Sequence, residues 1–140
     1  VFVKCKFMIL GVWLTLASSM AMAGSTVCSS EDLYYSHDIY DSGIAPQPGT
    51  VIGKSVIVYR GETLLNFEMV SGLGQHAILP YRVDLVGEEQ ILEELGGDVS
   101  GSKVFKQSAA LSQVDSLTGL VVAELVKSEV VCRTKWAMVP

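Results

Sequence analysis

The sequence predicts a mainly β protein, an antiparallel sheet, small sandwich or barrel, with one short helix and an N-terminal signal peptide in front of it. Three observations carry that expectation. Beyond residue 50 most segments alternate apolar and polar side chains with period two, which puts one set on a core and the other toward solvent. Turn sequences such as Arg60-Gly61-Glu62, Gly96-Gly97-Asp98 and Asp115 to Gly119 break the pattern at short intervals, without the strand and helix alternation of a parallel sheet. The first 23 residues, finally, are ordered like an export signal.

Lys4 and Lys6 give that leader a basic start, Phe7 to Ala17 is almost wholly apolar, and Ser18 to Ala23 supplies small residues ending in Ala21-Met22-Ala23. Basic start, apolar middle and A-x-A exit predict cleavage after Ala23, with residues 24–140 forming a single β-rich domain. A membrane anchor is the competing reading, but it wants about 20 consecutive apolar residues. The mature domain is therefore expected to be secreted or periplasmic, with no membrane attachment once the leader is gone.

Of 140 residues, 117 remain after the first 23, enough for one domain with a real core. They hold eight Lys and Arg against fifteen Asp and Glu, a net charge of −7. Binding to phosphates needs clustered cations, so nucleic-acid and anionic-lipid roles are disfavoured while a basic protein partner fits. Cys5 leaves with the leader, and Cys28 and Cys132 remain near opposite ends of the domain. In an oxidising compartment that pair is expected to form a disulfide. Two structural thiols, or acylation of Cys28, are the alternatives. Ser25-Thr26-Val27 lacks the Leu and small-residue pattern of a lipobox, which argues against acylation.

Taken in order, Gly24 to Asp32 reads as a polar lead-in tied down by Cys28, and Leu33 to Tyr40 as extended chain with Leu33, Tyr35 and Ile39 inward. Asp41-Ser42-Gly43 and Pro46-Gln47-Pro48-Gly49 predict an exposed loop, because Pro fixes φ and Gly accepts turns. Thr50 to Val70 is a hairpin around Arg60-Gly61-Glu62, with Ile57 and Tyr59 opposite Val56 and Val58 in parity, then Leu65, Phe67 and Met69 together. Ser71-Gly72-Leu73-Gly74 is a link, and Tyr81 to Val86 another strand. Glu88 to Leu95 is expected to be the short helix: Ile91, Leu92 and Leu95 have helical spacing, acids fill the first turn and Gly96 can end it, with a hairpin as the alternative. Lys103 to Val114 returns to extended sequence. The last run, Leu120 to Trp136, is expected to be central in its first part, because Leu120 to Ala123 is apolar on both faces. Further on, Val126, Val130, Cys132 and Trp136 share one face, and Lys127, Glu129, Arg133 and Lys135 the other.

Little in the sequence points to catalysis. His37 and His76 lie outside any H-x-x-x-H, H-E-x-x-H or Cys/His cluster, so neither a metal nor another cofactor is expected. No serine sits in a G-x-S-x-G elbow. Glu88-Glu89 and Glu93-Glu94 read as a solvated face.

Two short stretches resemble known families. Asp41-Ser42-Gly43, between Ile39-Tyr40 and Ile44-Ala45, resembles the active-site triplet of retropepsin-like aspartic proteases. That resemblance implies Asp41 paired across a homodimer, two carboxylates sharing one proton to activate water. Val58 to Tyr81, with Gly61, Leu64-Leu65 and Ser71-Gly72-Leu73-Gly74, resembles the strand and Ser-Gly-rich loop of periplasmic inhibitors of c-type lysozyme, which implies a small exported β-barrel meeting a basic enzyme. The sequence favours a non-catalytic binding or inhibitory module acting through two surface loops, one carrying Asp41, Ser42 and Gly43 and the other Ser71, Gly72 and Gly74. The protease and a structural cell-envelope component are the alternatives.

Overall fold

The computed structural model describes residues 21–40, 46–72 and 78–139. They form seven strands: β1 (Ala21–Ser29), β2 (Leu33–Ile39), β3 (Val51–Tyr59), β4 (Glu62–Val70), β5 (Tyr81–Gly96), β6 (Ser100–Val114) and β7 (Val121–Val139). All belong to one antiparallel sheet in the order β4-β3-β2-β1-β7-β6-β5. Two meanders, β1 to β4 and β5 to β7, are thus joined through the first and last strands, and β4 and β5 are the edges. The sheet coils strongly. Tyr35 of β2 and Val83 and Leu85 of β5, four places apart in the sheet, line one small cavity with Phe105.

Residues opposite each other in register share a face, so rows of side chains can be followed across all seven strands. One inner row runs Leu65, Ile57, Tyr35, Cys28, Cys132, Phe105 and Ile91. From Leu65 to Phe105 it forms the centre of the core, joined by Leu33, Ala109, Leu111 and Val130, while Ile91 at its end stays exposed. Leu33 and Tyr35, expected inward on β2, face the core, as does the Val126, Val130 and Cys132 side of β7; of the alternating sets of β3 and β4, those of Ile57 and Tyr59 and of Leu65 take the core side. Cys28 and Cys132 are directly opposed and bonded, with 4.0 Å between Cα atoms, at 1% and 0% exposure. The first and last strands of the domain are therefore stapled at mid-sheet.

The hairpin turn falls where Arg60-Gly61 predicts it. Both residues have positive φ, 51° and 78°, the paired left-handed geometry that matches the twist of two antiparallel strands. At the other long hairpin, Asp115 accepts from the Leu117 and Thr118 N–H groups at 2.7 and 3.1 Å, which turns the chain from β6 into β7.

Three expectations are corrected. Glu88 to Leu95 is strand, not helix: it lies within β5, and no described residue is helical. A helix there would have buried Ile91, Leu92 and Leu95, but they stay 44, 48 and 58% exposed, because β6 offers a ladder of hydrogen bonds and no core reaches this far. Gly87, at φ 79°, and the register shift between Val86 and Gln90 bend the chain into that extension. Gly24 to Ser29 is not a lead-in but the inner part of β1, the strand flanked by β2 and β7. Its short side chains let both neighbours approach. Leu120 to Ala123 is not central, since Leu120, Val121 and Val122 are 68, 47 and 64% exposed at the turn end of β7, beyond the core. The leader, residues 1–20 of it, lies outside the described residues.

Candidate functional site

Next to the core row, on the same inner face, runs a row of different chemistry: Phe67, Ser55, His37, Thr26, Thr134, Lys103 and Glu94. Beyond it comes a row of four glycines and three large residues, Met69, Gly53, Ile39, Gly24, Trp136, Gly101 and Gly96. The glycines there make room. A Cβ on Gly101 would lie 2.7 Å from Trp136 Cζ2, and one on Gly53 would lie 2.1 Å from Met69 Cε. Trp136 is fixed in turn by donating from Nε1 to the Gly97 carbonyl at 3.0 Å.

The polar row crosses the inside of the sheet in locally satisfied pairs. His37 Nδ1 and Ser55 Oγ are 2.7 Å apart, and the Thr26 and Thr134 hydroxyls share a hydrogen bond of 3.1 Å. Lys103 donates to Glu89 at 2.5 Å and also lies over the Phe105 ring, 4.8 Å from its centroid. Thr26 and Thr134 are 5% and 1% exposed, so the belt is buried at its middle. Burying polar groups is costly unless they are paired, and these are paired with one another.

Two cavities adjoin the belt. One of about 380 Å3 lies between β2, β3, β4 and the chain before β5, lined by His37, Ile52, Ser55, Phe67, Met69, Val70 and Leu79. Another of about 120 Å3 is lined by Thr26, Tyr35, Val83, Leu85, Glu89, Phe105 and Thr134. His37 on the first and Thr26 on the second are register partners, so the belt lies between the two. Burial pushes the His37 pKa below its usual value, outweighing the opposing pull of Asp38, so the imidazole is held neutral. Burial also raises the Tyr35 hydroxyl above its usual value, helped by the negative charge of Asp84. On the outer face a shallower trough of about 390 Å3 lies over Ala23, Gly24 and Ser25, walled by Tyr40 and Lys135. It exists because β1 carries short side chains there, and it encloses little.

A serine beside a histidine invites a catalytic reading, but acyl transfer also needs free N–H donors for the oxyanion. Ser55 sits inside β3, whose backbone is paired with β2 on one side and β4 on the other. The belt is better suited to holding a ligand than to attacking one.

The structure brings the two predicted loops together in part. Ser71 is buried and donates from Oγ to the Gln47 carbonyl at 2.6 Å, while the Gly49 N–H reaches the Ser71 carbonyl and the Ser71 N–H reaches Thr50. Gly72, at φ 78°, lies so close to Pro48 that a Cβ would come within 2.9 Å of it. Ser71 and Gly72 thus anchor residues 46–50 and leave Gln47, Pro48, Gly49 and Thr50 exposed. Asp41, Ser42, Gly43 and Gly74 lie outside the described residues, as does His76. Among the described residues no group of three or more His, Cys, Asp or Glu comes together as a metal site.

Sequence reasoning missed the belt because its members are spread over positions 26 to 134 and meet only through register. A signal existed: His37 between Tyr35 and Ile39, Ser55 two before Ile57, and Thr134 between Cys132 and Trp136 are polar residues at inward parity.

No family model, curated protein or solved structure matches this chain.

Proposed function

We propose that the chain is an exported precursor, cleaved after Ala23, whose disulfide-closed β domain acts by binding a basic protein through the surface built from residues 46–50 and 71–72. The observation that carries the reading is the joint between those two loops, which presents Gln47 to Thr50 as one exposed ridge on a rigid sheet. Recognition residues commonly sit on such loops. The buried Cys28–Cys132 bond suits an oxidising compartment. The net charge of −7 on residues 24–140 favours a cationic partner and speeds encounter with it.

The reading is tested in two steps. Expression of the full chain in a host with an oxidising export compartment should yield a mass beginning at Gly24, with two thiols blocked until reduction. The mature domain is then titrated with c-type lysozyme as the basic probe, at low and at physiological salt. Binding that weakens with salt, and that falls by about 10-fold or more when Gln47→Lys and Thr50→Lys are combined, supports the proposed surface. No binding up to ~100 µM at low salt, or full binding by the double-lysine variant, overturns it.

A further inference from the structure

We propose that the inner face of the sheet is also a small-molecule site: the chamber between β2, β3, β4 and Leu79 takes a neutral ligand with an apolar body and one hydrogen-bonding head. Its volume, about 380 Å3, falls in the range of small-molecule pockets, about 300–1,000 Å3. Benzene fits a cavity of about 150 Å3, so this one suits a molecule of two or three rings.

The walls set the body of the ligand. Ile52, Phe67, Met69, Val70 and Leu79 are apolar, and Met69 supplies a flexible, polarizable side that can adapt to shape. The floor sets the head. Ser55 and His37 are the polar members of the lining, and the Ser55 hydroxyl, with one donor and two acceptor positions, keeps bonding capacity beyond its contact with His37. The charge state of the floor excludes ionic heads. Burial disfavours the charged imidazole, and among the described residues no Lys or Arg lines the chamber to pair with an anion and no carboxylate lines it to pair with a cation. An alcohol, phenol, amide or secondary amine meets these conditions.

A second observation points the same way. An ordinary core gains nothing from a polar belt laid across its middle, since apolar side chains would pack there at lower cost. Local departures from good packing tend to mark functional sites. Here the belt separates two cavities, with His37 and Ser55 on one and Thr26 and Thr134 on the other.

The probe is N-phenyl-1-naphthylamine, a neutral aromatic with a single N–H, whose fluorescence rises in apolar surroundings, titrated into the oxidised mature domain. Saturable binding at one probe per chain is expected, with the Met69 methyl resonance shifting in step with the titration. Ser55→Val should weaken it by about 3- to 10-fold through loss of the head contact. Val70→Trp, which fills the chamber from its rim, should abolish it. The anionic analogue 1-anilinonaphthalene-8-sulfonate should bind at least about 10-fold less tightly, because its charge finds no partner there. The inference fails if the probe does not bind, if the Met69 methyl stays still at saturation, or if the anionic analogue binds equally well. The Met69 readout uses the unmodified protein, so it decides the matter even where a variant does not fold. Lysozyme binding is a separate measurement, and either proposal stands without the other.

Discussion

Opening the Cys28–Cys132 bond should cost this domain a large part of its stability, and the size of the loss follows from where the bond sits. The two cysteines are 104 residues apart in sequence. A closed loop of that length removes chain entropy from the unfolded state equivalent to about 4.7 kcal/mol at 25 °C. Set against a usual domain stability of about 5–15 kcal/mol, that is a third or more of the total. Cys28 and Cys132 are 1% and 0% exposed, so a reductant reaches them only after the sheet opens. Reduction must therefore be carried out in denaturant before refolding. Trp136 is the reporter. It is 6% exposed, lies four residues from Cys132, and is the single tryptophan beyond residue 23. With a urea dependence of roughly 1.5 kcal/mol per molar, the fluorescence midpoint should fall by about 3 M on reduction. The Cys28→Ala/Cys132→Ala variant should fall at least as far, since it also loses two buried sulfur atoms. Midpoints of oxidised and reduced protein within about 0.5 M of each other would refute the reasoning, because a strand pair that holds register unaided has no need of the staple.

Three further outcomes follow from local geometry. Gly101→Ala should destabilise the domain by about 1–3 kcal/mol in thermal unfolding, because the new methyl meets Trp136 and the Leu95 carbonyl, at 2.7 and 2.6 Å, and neither can withdraw easily. Arg60→Asn should raise stability by about 0.5 kcal/mol, since Asn tolerates the positive φ of 51° better than Arg; a lowered melting temperature would show that the Arg60 contact with the Tyr59 ring outweighs the backbone gain. His37 has a depressed pKa in the fold, so the unfolded chain binds more protons between that value and about 6.5, and stability present above pH 6.5 should drain as pH falls through this window. Urea midpoints at pH 7.5 and 5.5 should converge in His37→Gln relative to the unmodified protein, and equal pH dependence in the two would exclude His37 as the source.

The parts of this fold that could be read in advance were those whose information is local. The β3–β4 hairpin announces itself through alternation and the Arg60-Gly61 pair, and the disulfide through the two cysteines that remain beyond the predicted leader. What misled was composition standing in for context. Glu88 to Leu95 has helix-favouring residues at helix-favouring spacing, yet helix formation there would have left five residues of β6, Ser102 to Lys106, without the partners that pair them from Gln90 to Leu95. β1 was concealed for the opposite reason, because Gly24, Ser25 and Thr26 have little intrinsic preference for strand and are extended only because β2 and β7 pair with them on both sides. The belt is the extreme case. Each of its residues is unremarkable in its own strand, and the row exists only once four ladders have set their registers.

The position of the proposed chamber follows from a parity constraint on the sheet. Neighbouring strands are antiparallel throughout, and six such steps separate β4 from β5, so the two edge strands point the same way. An antiparallel meander closes into a ring only with an even number of strands; with seven, the last pair would have to be parallel, and parallel neighbours cannot be joined by a hairpin. Coiling therefore brings β2 and β5 face to face without giving β4 and β5 a shared ladder. Just before β5, Leu79 joins Phe67 and Met69 in lining the chamber, and the Pro80 carbonyl accepts from the Val114 N–H at 2.8 Å. In an even-stranded barrel, side chains from an eighth strand would fill that space. Among the described residues between β4 and β5 it is Leu79 that lines this space, and the unfilled part is the chamber over His37 and Ser55.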